Sequence, residues 1–236
     1  MGGTALAVAC LHRGISFTLY ERDGNFNERS QGYGISLQQA SKAIKGFGIL
    51  NLEDSLVSTK HIVHTTDGTV IGEWGLRKWK PSENKKASKN TNIHIPRQSL
   101  RLALLKQLKN HDAIQWNHKL IDFTTIKNKE IKLSFDVNGE IKNAKADLII
   151  GADGIRSVVR TKLIGKDTSP LSYLGCIVIL GICPLETIKT LDKTLLDSKT
   201  VFQTTNGKER IYMMPYTENA IMWQLSFRSQ KKRRKY

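Results

Sequence analysis

The sequence predicts an α/β fold in which alternating helices and strands are followed by a part made mostly of strands. Helical and strand-like patterns alternate up to about residue 170, and four strand-like runs follow Leu171 without a clear helix between them. The apolar run 148–150 ends in Gly-Ala-Asp-Gly at 151–154, and a helical pattern begins at 158–159. A strand that breaks at glycines and restarts as a helix is typical of parallel α/β sheets.

The first elements of the chain are a helix, a turn, a strand and an acid. A compact apolar helix is predicted over 4–12, and Gly14 is well placed as its C′ residue. The run 15–20 is rich in β-branched and aromatic residues and predicts a strand that ends at Glu21. The strand that normally precedes such a helix is expected to be missing.

The clearest periodic pattern in the middle of the chain is that of the helix after Arg97. Leu100, Leu104 and Leu108 lie on one face of this helix with Leu105 beside them, which is the pattern of an amphipathic helix on a core. The other predicted elements are a glycine-punctuated segment at 29–37, a helix over 39–47, a hairpin over 61–74 around Asp67-Gly68, a polar lysine-rich loop over 78–92, strands over 120–123 and 132–137 before the turn Asn138-Gly139, and a strand over 147–150.

The change of pattern near residue 170 predicts two domains. The first comprises 1–60 and 96–167, the second is rich in β-strands and comprises 61–95 and 168–227, and residues 228–236 form a basic tail. Strands of the later part are predicted over 176–182, 200–204, 210–214 and 220–227.

Charge and composition exclude several classes of protein. The net charge is +16, but six of the nine residues in 228–236 are basic, and no nucleic-acid-binding signature accompanies the other lysines. We therefore expect no specific nucleic-acid partner, and the tail is either a frameshifted or mis-spliced end or a genuine localisation signal. No apolar run approaches the roughly 20 residues of a membrane span.

The cysteines and histidines do not form a recognisable metal or catalytic site. Cys10, Cys176 and Cys183 are odd in number and lack metal-ligand spacing, which predicts buried free thiols in a reducing, cytoplasmic compartment. His61 and His64 are spaced H-x-x-H, but on a strand they point to opposite faces, so we expect no metal site.

Gly3 and Glu21 indicate a nucleotide site. A strand that ends in an acid after a glycine-led helix is the second half of a dinucleotide-binding βαβ unit. Glu21 would accept hydrogen bonds from ribose hydroxyls, and Gly3 matches the last glycine of G-x-G-x-x-G, where a missing side chain lets the helix pack on the sheet. The alternative for Glu21 is an ordinary carboxylate at a strand end.

Several segments together resemble one family in order and spacing. They are Gly3, Y-E-R-D at 20–23, R-x-x-G-x-G-I-x-L at 29–37, Arg97 before its helix, G-A-D-G-x-x-S-x-V-R at 151–160 and Tyr173-Leu174-Gly175. In these segments the chain resembles the front part of the class A FAD-dependent monooxygenases related to para-hydroxybenzoate hydroxylase. The resemblance covers most of the chain and implies a Rossmann-like FAD/NAD(P)-binding domain, with its first strand missing, and a mostly β substrate domain.

The resemblance also implies that FAD is the cofactor. By residue, it assigns FAD binding to Gly3, Glu21, Arg22, Arg29, Arg97, Asp153 and Gly154. In the family the matching acid binds the adenosine ribose, the matching arginines approach the phosphate and sugar region, and the Asp-Gly motif touches the cofactor and takes part in NAD(P)H use. Arginine forks suit the pyrophosphate of FAD, whereas surface ion pairs are the alternative for Arg29 and Arg97. Ser157 and Arg160 would then only cap and pair the helix.

The chemistry implied by the resemblance belongs to the flavin. The family uses NAD(P)H and oxygen to hydroxylate a small organic substrate, here an aromatic or cyclic one, while the protein supplies orientation and excludes water. No catalytic side chain is therefore named.

The match to the family has two gaps. The chain begins inside the first glycine fingerprint and stops before the third motif of the family. We therefore expect it to be incomplete at both ends, to bind FAD weakly or not at all, and to be inactive as written. The alternatives are a related FAD oxidoreductase, such as a reductase or halogenase, and a non-catalytic fragment that persists as a binding protein.

Overall fold

The chain folds into two compact units. The computed structural model describes residues 1–29, 32–75, 92–108, 111–188 and 199–230. The first unit comprises Met1–Ser30 and Leu104–Ser172, and the second comprises Gln31–Ala103 and Tyr173–Tyr236. Positions 30–31 of the glycine-punctuated segment, residues 78–91 of the predicted loop and residues 231–236 of the predicted tail lie outside the described residues. In the described ranges, no helix is long and apolar enough to cross a membrane.

The regular elements are four α-helices and fourteen strands in the part of the chain that the structure describes. The helices are α1 (Gly2–Leu11), α2 (Ala40–Gly46), α3 (Arg97–Gln107) and α4 (Val158–Ile164). The strands are β1 (Leu19–Tyr20), β2 (Gly34–Ser36), β3 (Leu56–Ser58), β4 (Lys60–His64), β5 (Val70–Gly75), β6 (Asn92–Pro96), β7 (Ile114–Gln115), β8 (Lys119–Thr125), β9 (Ile131–Val137), β10 (Glu140–Ala146), β11 (Cys176–Pro184), β12 (Thr200–Thr205), β13 (Glu209–Thr217) and β14 (Ala220–Arg228).

In the first unit, helix α1 lies beside a short pair of parallel strands. β1 pairs with β7, with Leu19 opposite Ile114. The helix buries Thr4, Ala7 and Val8, and Gly14 takes a φ of +64° just after it, a backbone conformation that glycine adopts readily at a helix end.

The first unit also contains a three-stranded antiparallel sheet in the order β10-β9-β8. Asn138 and Gly139 connect β9 to β10 with φ values of +56° and +87°, as a two-residue hairpin turn requires. Alternation along β9 places Leu133, Phe135 and Val137 on one buried face, where they form a core cluster.

The second unit contains a six-stranded sheet in the order β11-β14-β13-β12-β4-β5 and a three-stranded sheet in the order β2-β6-β3. Val201, Met214 and Met222 form the core cluster on the larger sheet, and three half-buried tyrosines pack against it. β11 lies at one edge of the larger sheet, and its aliphatic side chains Val178, Ile179, Leu180 and Ile182 are exposed.

The predicted α/β fold is confirmed. The leucine stripe of α3 is buried, the hairpins form at Asp67-Gly68 and Asn138-Gly139, and the four late strands are present. The units place residues 31–60 and 96–103 together with the larger sheet, whereas the predicted first domain includes them. The functional assignment of the domains stays a prediction.

The predicted strand at 147–150 is absent. Leu148 and Ile150 are 72% and 58% exposed, and no strand among the described residues pairs with this segment. Of the strand predicted over 15–20, only Leu19–Tyr20 is paired. A strand needs a hydrogen-bonded neighbour, and apolar composition alone does not provide one.

The predicted burial of the cysteines is wrong. All three thiols are free, but Cys176 is exposed, and Cys10 and Cys183 are only half-buried. Cys176 and Cys183 lie on the edge strand β11, where packing covers little of the apolar surface.

Candidate functional site

The N-terminus of α1 approaches its neighbours most closely at Gly3. A Cβ on Gly3 would lie 3.1 Å from Leu19 Cδ1 and 3.5 Å from Ala152 Cβ. The first contact is tighter than ordinary van der Waals packing, so a larger residue would push the helix away. The first turn of α1, whose backbone N–H groups lack helical partners, thus lies beside β1 and the segment 151–154.

The segment 151–154 is fitted between α1 and α4. A Cβ on Gly151 would lie only 2.7 Å from Val159 Cβ, so a glycine is needed for this approach. Gly154 takes a φ of +80°, in the left-handed region, and reverses the chain before α4.

Asp153 holds the start of α4. Its Oδ1 accepts a hydrogen bond from the Ser157 hydroxyl, and its Oδ2 accepts from the backbone N–H groups of Val158 and Val159 at 2.7 Å and 3.3 Å. Partial burial raises the pKa of Asp153, but these hydrogen bonds to the ionised form outweigh it, and the net pKa lies below its ordinary value.

Ser157 and Arg160 stabilise the start of α4, which is the capping role that the sequence allowed for them. Ser157 Oγ accepts from the backbone N–H of Arg160 at 2.9 Å, and the Arg160 guanidinium donates to the Ile155 carbonyl. The capping role of Asp153 was not predicted, although its position four residues before a serine at a helix start was a usable signal.

Glu21 follows β1 and has a fixed backbone. Its N–H donates to the Gln115 carbonyl, and its own carbonyl accepts from the His118 N–H, both at 2.9 Å. The half-buried side chain has no hydrogen-bond or ion-pair partner among the described residues. Glu21 therefore presents a carboxylate that can accept hydrogen bonds from a ligand.

Asp23 is a buried acid that sequence reasoning missed. It is 6% exposed, and Arg29 Nε lies 2.9 Å from its Oδ1, at ion-pair distance but outside hydrogen-bond geometry. Arg22 Nε lies farther away, at 3.9 Å, on an exposed side chain. The backbone carbonyl of Asp23 accepts from the Asn117 N–H at 2.8 Å. The ion pair that was the alternative interpretation of Arg29 is therefore present, and it joins the Arg29 guanidinium to Asp23.

Arg97 lies in the second unit, at the first position of α3. Its backbone N–H donates to the Tyr33 carbonyl at 2.9 Å, and its guanidinium carbon lies 5.5 Å from the centroid of the Tyr33 ring. This is a cation–π arrangement. No acidic partner for Arg97 is found among the described residues.

The segment after residue 31 lies directly on the larger sheet of the second unit. A Cβ on Gly32 would lie 3.1 Å from Ile182 Cδ1, and one on Gly34 would lie 3.0 Å from Met214 Cε. The Gly34 N–H donates to Met222 Sδ at 3.0 Å. The two glycines thus let the backbone approach the larger sheet and its methionines.

His94 joins the strands of the smaller sheet and was also missed. Its side chain is 2% exposed, with Nδ1 2.8 Å from Ser36 Oγ and Nε2 2.7 Å from Ser58 Oγ. Burial, together with the charge of His61, lowers the pKa of His94 to about 4. A neutral imidazole can donate at one nitrogen and accept at the other, so both serines are satisfied.

His61 and His64, the pair spaced H-x-x-H, both pack against aromatic rings. His61 stacks on Trp74 at 4.5 Å between ring centroids, and His64 lies 6.0 Å from the Phe202 ring. Within the described residues, no group of three His, Cys, Asp or Glu side chains could hold a metal ion.

Comparison with known proteins gives a consistent result. Residues 2–236 match the protein family described as "FAD binding domain". The chain is 28% identical over 179 residues to a "Probable FAD-dependent monooxygenase" of Arthroderma benhamiae, a match that covers 70% of this chain and 38% of the relative. It is 27% identical over 195 residues to "FAD-dependent monooxygenase sor5" of Hypocrea jecorina, covering 78% of this chain and 39% of that protein.

The fold is also shared with solved structures. Klebsiella pneumoniae HpxO complexed with FAD and uric acid superimposes with a TM-score of 0.77 at 16% identity, over 99% of this chain and 56% of that one. The sequence matches to the two curated relatives extend over less than two fifths of their lengths.

Proposed function

The chain belongs to the family of FAD-binding domains, and from this premise we propose that it serves an FAD-dependent monooxygenase that uses NAD(P)H and oxygen to hydroxylate a small aromatic or cyclic organic substrate. The resemblance to class A flavoprotein monooxygenases is confirmed at the level of the family, because the curated relatives carry the name of FAD-dependent monooxygenases. The chain spans about 38–39% of those relatives, so the activity of the whole protein is part of the proposal.

The residues around α1 fit the nucleotide part of FAD. Gly2 and Gly3 leave the first two positions of α1 without side chains, and the carboxylate of Glu21 has no described partner. A ribose supplies hydroxyl donors for such a carboxylate, and a pyrophosphate is compatible with the N-terminus of a helix. Bound FAD would supply the redox chemistry by taking a hydride from the nicotinamide and activating oxygen.

The proposed roles of the other residues follow from their contacts. The Asp153 carboxylate has roughly four acceptor positions, and about three of them accept hydrogen bonds from residues at the start of α4. Asp153 thereby holds the turn at Gly154, and one acceptor position is left for a cofactor hydroxyl. Arg22, Arg29 and Arg97 are proposed to bind phosphate oxygens.

Two features support the remaining parts of the proposal. Tyr33, Tyr212 and Tyr216 pack against the methionine core of the larger sheet, which favours an aromatic or cyclic substrate there. The three cysteines are free, which favours the cytoplasm.

The family match carries the proposal, and Glu21 allows a direct test of it. The purified chain would be titrated with FAD while quenching of flavin fluorescence is followed, and circular dichroism would check that the sample is folded. We expect weak but saturable binding, because the first strand of the βαβ unit is expected to be missing. Glu21→Gln should weaken it about tenfold further, since hydrogen bonds to a charged group contribute about 1.5–3 kcal/mol. Glu140→Gln is the matched control, because it removes the same charge from an exposed acid on β10, and it should leave the affinity for FAD unchanged.

A folded chain that does not quench FAD fluorescence would overturn the cofactor assignment. If FAD binds, NAD(P)H oxidation in ¹⁸O₂ with candidate aromatic substrates tests the reaction. A monooxygenase incorporates ¹⁸O into the organic product, whereas a related FAD reductase oxidises NAD(P)H without labelling it.

A further inference from the structure

A cavity lies in the first unit next to Glu21, and none of its lining residues is among those proposed to bind FAD. It has a volume of about 310 Å³ and lies between β1 and the sheet formed by β8, β9 and β10. Leu19 contacts α1 at Gly3, so alternation along β1 directs Thr18 and Tyr20 to the opposite face, into this cavity. We call it the Phe135 pocket, after the buried residue that forms its base.

The base of the Phe135 pocket is a fixed aromatic cluster. Phe135 is 3% exposed and belongs to the core of the unit. Tyr20 stacks on Phe135 with ring centroids 4.3 Å apart, and His118 meets Phe135 edge-on at 5.4 Å. Three rings in mutual contact present a preformed apolar surface that suits a planar ring.

The polar groups of the pocket have a defined character. His118 Nδ1 lies 2.7 Å from the Trp116 carbonyl, which can only accept, so Nδ1 carries the proton and Nε2 of the neutral ring is an acceptor. Tyr20 and Thr18 add hydroxyl groups, and burial raises the pKa of Tyr20, which keeps its phenol protonated.

Lys142 supplies a positive charge to the pocket lining. It pairs with Phe135 across the β9–β10 ladder and therefore lies on the same face of the sheet. It has no hydrogen bond or ion pair with a described residue, and no Asp or Glu of the described ranges lines the cavity. A single ammonium beside aromatic rings selects for a ligand that is both planar and anionic.

We propose that the Phe135 pocket binds a small aromatic carboxylate of one or two rings. The ring lies against Tyr20 and Phe135, and the carboxylate accepts from the Lys142 ammonium. His118 Nε2 can accept from a hydroxyl or amine where the ring carries one, which 2-naphthoate does not. The volume sets the size, since it stands near the lower limit of about 300 Å³ for ligand pockets. The site does not depend on the proposed function, because none of its lining residues is assigned to FAD.

The test uses the whole 236-residue chain and 2-naphthoate as the probe. Its uncharged isostere 2-naphthamide measures the contribution of the carboxylate. Binding would be followed by naphthalene fluorescence and located by ¹H–¹⁵N NMR shifts. The Lys142→Gln variant removes the proposed partner, and Lys132→Gln is the matched control, because Lys132 is also exposed but alternates with the buried Leu133 and lies on the other face of the sheet.

We expect 2-naphthoate to bind to the wild-type chain with NMR shifts centred on Tyr20, His118 and Lys142. Its affinity should be about tenfold lower for Lys142→Gln and unchanged for Lys132→Gln. 2-Naphthamide should bind to wild type about as weakly as 2-naphthoate binds to Lys142→Gln. Equal affinity for wild type and Lys142→Gln, shifts located in the second unit, or no saturation would overturn the proposal. Repeating the titration with Glu21→Gln separates it from the FAD assignment, since that variant should bind 2-naphthoate as wild type does.

Discussion

Gly151 and Val159 are packed so closely that a Cβ on the glycine would lie 2.7 Å from the valine Cβ and 2.9 Å from its Cγ1. Both ends of this contact are constrained, because Val159 is buried in α4 and Asp153 binds the first N–H groups of that helix. The distance between the 151–154 segment and α4 is therefore set by the absence of a side chain at residue 151.

Gly151→Ala is expected to destabilise the first unit by about 1–3 kcal/mol, the usual cost of overpacking a fitted contact. Urea unfolding followed by circular dichroism would measure it. Gly46→Ala is the control, since a Cβ there meets nothing within 4 Å in α2 and should be neutral or slightly stabilising. Equal unfolding free energies for Gly151→Ala and wild type would show that α4 shifts at no cost.

Asp153→Asn is expected to lower the unfolding free energy by about 1 kcal/mol at neutral pH, because a helix cap loses its charge. The folded pKa of Asp153 is below its unfolded value, so its contribution is fully present above an ordinary aspartate pKa of about 3.9 and is lost as pH falls through the folded value. The difference between wild type and Asp153→Asn in urea unfolding should therefore shrink below about pH 4. A difference that stays constant down to about pH 2 would contradict this role.

His94 should make the second unit sensitive to mild acid. Its folded pKa of about 4 lies below the unfolded value of about 6.5, so the unfolded chain binds a proton first and stability falls as pH drops from about 6.5 to 4. NMR titration of the His94 ring should give a midpoint near 4. A midpoint near 6.5 would mean that the imidazole is solvated and the hydrogen bonds to Ser36 and Ser58 are not maintained.

His94→Leu provides the matching stability measurement. The variant removes the His94 partner of the buried Ser58 hydroxyl and of the half-buried Ser36 hydroxyl, and should lose about 1–3 kcal/mol at neutral pH. It should also show a shallower fall in stability between about pH 6.5 and 4, where the burial-lowered pKa of His61 still contributes in the same direction. An unchanged slope would assign the acid sensitivity to other groups.

Gly181→Ala is expected to displace Trp223. The two residues are directly opposite on β11 and β14, and a Cβ on Gly181 would lie in direct overlap with Trp223 Cε2. The indole has to leave its position over the glycine, so tryptophan fluorescence should change and stability should fall by about 1–3 kcal/mol. Gly46→Ala again serves as the control, and an unaltered emission spectrum would contradict the contact.

Local sequence patterns predicted much of the fold. The leucine spacing of α3 and the Asn138-Gly139 turn encode structure within a few residues, so they could be identified without knowledge of distant contacts. The smaller sheet could not, because its strands β2 and β3 have three residues each and are too short for an alternation signal. His94 bridges them to β6 across 58 and 36 positions of the chain.

The candidate site shows the same division. Gly3 and Glu21 could be named as candidates because their order along the chain is a motif, and their roles toward FAD stay predictions. An ion pair was weighed for Arg29, but the burial of its partner Asp23 was missed, since burial of an acid depends on packing that no short motif records. Asp153 was named as a candidate for its motif, but its hydrogen bonds to α4 became visible only in three dimensions.

The exposed aliphatic side chains of β11 bear on how the protein must be handled. An edge strand with branched apolar residues on its surface is a template for pairing with a second chain. The chain is therefore expected to self-associate as its concentration rises, despite a net charge of +16 that opposes association. Preparations kept dilute and at low ionic strength, where that repulsion is least screened, should yield the most monomer.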